Sequence, residues 1–515
     1  MKVCLGRRLR PLLAPVLSSA WLLVLGGCAI GPRYHAPKAP PVTRYTARPQ
    51  ASHTLAASGR AGGAQRFQYG MTPAHRWWEA FRSKALDALV AQALKANPTL
   101  AADRARLLQA RAAVAADEGI FYPQVNGALG AAHEKGPSGS GGGSGPHGIY
   151  SLYTGGLQVS YYPDVFGVNK LVYNSAQAQA DFQRDQLLAA QLSLVGNIVT
   201  TAVQAASDQA QVAATRHIIQ SEEQLLSLTR IQYRAGAVPY LAVVNQESQL
   251  ATSKAVLPAL SQQLALARYA LAVLIGEFPA QWRPVHLHLS QLYLPRTLPV
   301  SLPSVLARSR PDIRAATEQL RYANAQVGIA DAQFYPTVQL TAAFGQQSLT
   351  PGSFFNAASN VWSLGANLLA PLFRGGTLRA QRREALELYA GARATYQQTV
   401  LGAFQQVAGA LRALEHDAQA LQDEGDAYKA AQEALLLAKE SYRAGAIDSL
   451  SLLTTEAQYS QARIAYVRAE AQRYLDTAAL YTALGGGSLS SQYGVHHDVA
   501  KPAPVSTATS QRNTQ

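Results

Sequence analysis

The chain has 515 residues, 48% hydrophobic and 15% charged, with 45 Lys+Arg against 31 Asp+Glu for a formal charge of +14. Four of the positives (Lys2, Arg7, Arg8, Arg10) stand in the first ten residues, and about +10 remains without them. Nowhere do Lys and Arg interleave with aromatics as in a strand-binding groove, which argues against a nucleic-acid partner.

The basic start, the short apolar stretch from Leu12 to Leu25 and the ending Leu25-Gly26-Gly27-Cys28 read as a signal peptide over residues 1–27. The ending resembles a bacterial lipobox, in which the Cys carries diacylglycerol. Removal of Cys4 with the signal would leave Cys28 unpaired in a secreted chain, and lipidation accounts for that. No other run of 18 apolar residues follows, so no α-helix is expected to span a bilayer.

Residues 28–75 hold Pro32, Pro37, Pro40, Pro41 and Pro49 among Gly, Ala and Ser. They are expected to form an extended tether that buries no core.

Beyond them the chain is written twice. Phe121-Tyr122-Pro123 returns as Phe334-Tyr335-Pro336, 213 residues on. Tyr233-Arg234-Ala235-Gly236 returns as Tyr442-Arg443-Ala444-Gly445, 209 residues on. A repeat of this kind decides the architecture before any other signal.

The first copy is expected over 76–280. Trp77-Trp78 leads into an amphipathic helix with Leu86, Leu89, Val90 and Leu94 at helical spacing. Asn97-Pro98 starts a second helix, with Asn as cap and Pro in the first turn. Alternating strands follow near 123–133 and 149–162, around a Gly-rich loop from Gly136 to Pro146. That loop contains Gly143, Gly145 and Gly148 as a Gly-x-Gly-x-x-Gly, but no strand enters it and no helix follows, so it is not read as a phosphate site. A helical hairpin spans 168–276, closed by Gly236 and reopened at Pro239, with a kink expected at Pro258. Its first arm, Pro-free for roughly 65 residues, would be about 100 Å long.

A Pro-rich connector covers 281–309. It holds His286-x-His288, with no third ligand at a suitable spacing, so no metal is expected. The second copy runs over 310–487, with strands near 336–346 and 359–370 and a hairpin over 377–485. Residues 488–515 read as a disordered tail.

Each strand is apolar on one side and polar or small on the other, the pattern of a membrane β-barrel. Four strands cannot close a barrel, and an open edge is forbidden in lipid, so several chains must share one ring. No nucleophile elbow, zinc-protease helix, P-loop or Cys-x-x-Cys occurs. The chain is therefore not read as an enzyme, and no cofactor is expected. A structural coiled-coil lipoprotein is the remaining rival, and it would need no strands.

Trp77-Trp78 with Phe81, the Arg310-Pro311-Asp312-Ile313-Arg314 helix start, both Phe-Tyr-Pro strand entries and both Tyr-Arg-Ala-Gly turns resemble the TolC-like outer-membrane factors over about residues 28–487. The lipobox resembles their lipoprotein branch, the NodT-type channels that serve RND efflux pumps. The resemblance implies a mostly α fold with a membrane β-barrel portion: a homotrimer, twelve strands with four per chain, and a long periplasmic α-helical barrel. It implies an outer-membrane location, a periplasmic adaptor protein and an inner-membrane pump as partners, and small toxic compounds as cargo; the exit duct of a type I protein-secretion system is the alternative within the family. Tyr233, Arg234, Gly236, Tyr442, Arg443 and Gly445 would form the periplasmic turns where the adaptor docks. Where the family commonly carries a gate Asp, this chain has Asn245 and Thr454, with Glu247, Asp448 and Glu456 close enough to substitute. The expectation is a polar gate with weak cation selectivity.

Overall fold

The computed structural model describes residues 30–38, 40–135, 148–285 and 287–487. Cys28, the Gly-rich loop from Gly136 to Pro146, His286 and the tail from 488 lie outside these. The chain divides into two compact units, the first of residues 1–39, 102–186 and 312–402 and the second of 40–101, 187–311 and 403–515.

The repeat is visible in the elements. After β1 (Arg66–Tyr69) and α1 (Lys84–Ala96), the first copy gives α2 (Pro98–Glu118), β2 (Gln124–Lys135), β3 (Ile149–Tyr161), α3 (Val168–Arg234) and α4 (Tyr240–Leu274). After β4 (Thr297–Val300) and α5 (Pro303–Ser309), the second gives α6 (Pro311–Ala332), β5 (Thr337–Ser348), β6 (Asn360–Leu369), α7 (Thr377–Arg443) and α8 (Ser449–Ala483). The long arms are 67 residues each and the return arms 35 each. An 18-residue window in α3 averages a hydropathy of 1.4, and 61% of it is buried, as suits a helix packed inside a bundle. Helix α4 runs on through Pro258.

The first unit carries an antiparallel sheet in the order β2-β3-β5-β6. Its register sorts side chains into rows by period two. Val125, Val159, Ala342 and Leu364 form one row, and Gly127, Leu157, Phe344 and Trp362 the next on the same face. Between them, on the other face, lie Asn126, Gln158, Ala343 and Ser363. Leu129, Leu157, Phe344, Trp362 and Leu364 are all exposed, so much of the apolar face stands uncovered by the described residues. Elsewhere in this unit Asp185 is buried between Arg184 at 3.2 Å and Arg314 at 2.8 Å.

The second unit is cored on aromatics. Trp77, Trp78, Phe81 and Tyr474 are buried, and Trp77 stacks on Tyr481 with ring centroids 5.3 Å apart.

The described residues of the segment 28–75 differ from the tether expected of it. In the second unit β1 pairs in parallel with β4, Arg66 opposite Thr297, and Thr54, Gln65 and Phe67 are buried. Gln65 Nε2 donates to the Pro295 carbonyl at 3.0 Å and to Thr477 Oγ1 at 3.1 Å, and Arg473 donates to Thr54 Oγ1 at 3.2 Å and the Gly63 carbonyl at 3.3 Å. In the first unit Tyr34 Oη donates to the Thr317 carbonyl at 3.4 Å and Asn324 to that of Pro32 at 3.0 Å. Composition measures how much apolar surface a segment can bury. It is blind to hydrogen-bond partners supplied from hundreds of residues away. The connector likewise contains β4 and α5.

Candidate gate at the hairpin turns

Both hairpins turn by the same backbone device. Gly236 and Gly445 take φ of +73° and +72°, and the amides of Ala237 and Ala446 reach back to the carbonyls of Gln232 (2.9 Å) and Ser441 (2.8 Å). This left-handed cap satisfies carbonyls that a terminating helix leaves open, and glycine adopts it without a Cβ clash. At the opposite ends of the hairpins, the residue preceding each helix-starting Pro clasps the last carbonyls of the return arm. Asn97 Nδ2 donates to the Leu274 carbonyl at 2.8 Å while its Oδ1 caps α2 through the Thr99 amide at 2.9 Å. In the second copy Arg310 Nη1 donates to the Ala483 carbonyl at 2.7 Å. Positions 274 and 483 are themselves 209 residues apart, so two different side chains preserve one contact.

The turn side chains are less alike. Tyr233 is 43% exposed, its ring 5.4 Å from that of Tyr240. Tyr442 is 6% exposed, and its Oη donates to Gln232 Oε1 at 2.7 Å, which ties the turn of the second hairpin to the last turn of the first. Arg234 and Arg443 are exposed.

The five gate candidates separate. Asn245 is half-buried, and Glu247 pairs with Arg230 at 2.6 Å. Asp448 caps α8 by accepting from the Ser451 amide at 2.8 Å, and that bonding holds its carboxyl below the usual range. Thr454 is exposed, with Oγ1 donating to the Leu450 carbonyl of its own helix. Glu456 is 4% exposed and 3.6 Å from Lys439. The reason is helical phase: Leu452 and Leu453 are both buried, and a residue three or four positions on shares their face.

Two residues that sequence reasoning passed over belong to the same region. Gln232 is the acceptor for Tyr442. Glu222, 1% exposed, accepts from Gln249 at 3.2 Å and Ser253 at 2.9 Å. Burial pushes the carboxyls of Glu222 and Glu456 up. A usable signal was present, since Glu222 lies at helical spacing between the buried Ile219 and Leu226, an acid on an apolar face.

A sheet with one apolar and one polar face, joined through the chain to long capped hairpins, defines an outer-membrane channel of the TolC-like fold. The chain belongs to the outer membrane efflux protein family, whose pattern matches residues 89–277 and 302–486. It is 31% identical to the pyoverdine export outer membrane protein OpmQ of Pseudomonas aeruginosa over 425 residues, 82% of this chain and 89% of that protein. It is 28% identical to the toluene efflux pump outer membrane protein TtgC of Pseudomonas putida over 468 residues, 90% and 93% of the two chains. Among solved structures it is similar to the outer-membrane channel OprN, with a TM-score of 0.80 at 28% identity over 89% of this chain and 99% of that one. The protein is an outer-membrane efflux channel and not an enzyme.

Proposed function

We propose that three copies of this chain form one conduit, the exit duct of a tripartite pump that expels small toxic compounds, with a periplasmic adaptor docking on the hairpin turns. The observation that carries the proposal is the sheet: among the described residues β2 and β6 each keep one unpaired edge, while the rows Val125-Val159-Ala342-Leu364 and Gly127-Leu157-Phe344-Trp362 give one face an apolar band. In lipid such edges must be paired, and three four-stranded sheets make a ring of twelve. The export roles named for the pyoverdine and toluene relatives support small-molecule cargo. Cys28 would carry the lipid anchor. Tyr233, Arg234, Tyr442 and Arg443, at the exposed ends of the hairpins, would contact the adaptor, and the Tyr442–Gln232 bond would hold the passage shut.

Native mass spectrometry of the protein in mild detergent tests the assembly. Three chains per particle, and an SDS-resistant band that collapses on boiling, are expected. A stable monomer with no β signal by circular dichroism overturns the conduit.

A further inference from the structure

A cavity of about 430 Å³ lies between α3, α7 and α8, with Glu222 and Glu456 in its wall and Ile218, Leu435, Leu436 and the Tyr459 ring around them. Each buried carboxylate has only one oxygen in use. Glu222 Oε1 takes its two donors and Glu456 Oε1 faces Lys439, while Oε2 of each residue has no hydrogen-bond partner. Leaving such acceptors dry is costly, so the cavity calls for a donor that carries positive charge. No group of three metal-ligating side chains occurs among the described residues, and the rest of the wall joins an apolar patch of Ile218, Leu435, Leu436 and the Tyr459 ring to polar groups that include Lys429, Lys439 and Glu433. A bare metal ion would waste the apolar patch, whereas an alkyl or arylalkyl ammonium would use both parts of the wall. The volume lies in the ordinary range for small-ligand sites.

We propose that this cavity is a binding site for a compact amphiphilic ammonium cation, its charged head between Glu222 and Glu456 and its apolar body against Leu435, Leu436 and Tyr459. Glu222 belongs to the first hairpin and Glu456 to the second, so a bound cation bridges the two, as Tyr442 and Gln232 do nearer the turns. Occupancy then favours the closed passage, a consequence that rests on the exit-duct reading.

The site is tested by titrating phenethylammonium into the full-length protein in mild detergent by calorimetry, with phenethyl alcohol as the uncharged analogue. Saturable binding at least tenfold tighter for the ammonium is expected, and the double variant E222Q/E456Q loses at least that factor. S221W, which keeps both carboxylates and fills the cavity, abolishes binding with circular dichroism unchanged, and it decides the matter if the double variant does not fold. Equal heats for the alcohol, no ammonium binding to the unaltered protein, or undiminished binding to S221W overturns the site. Single-channel recording separates the two readings: longer closed times with phenethylammonium support the bridge, and unchanged closed times with binding intact remove the bridge and leave the site.

Discussion

Gly156 and Gly345 face each other across the β3–β5 ladder with no space between them. A Cβ on Gly156 would stand 2.7 Å from the Phe344 carbonyl oxygen, and one on Gly345 would collide with that of Gly155. Backbone cannot withdraw as a flexible side chain can, so Gly345→Val should abolish the SDS-resistant species. Gly352→Ala, which has open space around it, should leave that species unchanged on the same gel. The clasps at the hairpin bases make a second prediction. Asn97→Ala removes a cap and a long-range bond together and should cost about 1–2 kcal/mol, read as an earlier unfolding midpoint in urea by the fluorescence of the buried Trp77 and Trp78. Asn97 was legible as a cap because Asn-Pro before a helical period has a local meaning. The clasp by Arg310 was not, since its acceptor lies 173 residues further along the chain.

At the scale of elements, α8 holds a proton-sensitive contact. Burial, and then the neighbouring Asp417, push the Asp476 carboxyl up to about 8 from its ordinary 3.8. A raised acid stabilises the fold while protonated, fully below the unfolded value, and that contribution disappears as pH rises through the folded value. The melting temperature should therefore fall from about pH 4 to about pH 8, and Asp476→Asn should flatten the fall. A steeper fall in the variant would contradict the assignment. The turns give a sharper contrast. Tyr442→Phe deletes one neutral hydrogen bond, worth about 1 kcal/mol, and should raise open probability in planar bilayers roughly fivefold if that bond closes the passage. Tyr233→Phe, at an exposed ring, should not. The duplicated Tyr-Arg-Ala-Gly motif read as two equivalent turns because local sequence reports backbone geometry, and the two glycine caps do match. Which tyrosine is buried depends on the neighbouring hairpin and has no local signature.

For the whole molecule, charge at the turns predicts behaviour that the net charge of +14 does not. Asn245 and Thr454 are neutral, Glu456 is enclosed, and Glu247 is already paired with Arg230. Asp448 is left as an exposed, ionised carboxylate. Reversal potentials in a salt gradient should show only weak cation preference, and Asp448→Asn should remove most of it. Much of the architecture was readable in advance: the long arms from their freedom from proline, the strands from a switch of period, the copying from two motifs. The docking of the segment before Trp77 was not, because it is held by scattered polar partners and not by an apolar stripe.

The inequality of Tyr233 and Tyr442 has an evolutionary corollary. The repeat supplies two matching spokes: on one the tyrosine is tied to the neighbouring hairpin, as a latch would be, and on the other it is exposed. In a ring of three chains the latches would fall at every second spoke. Selection could then reshape the outward spokes to suit a new docking partner without loosening the seal.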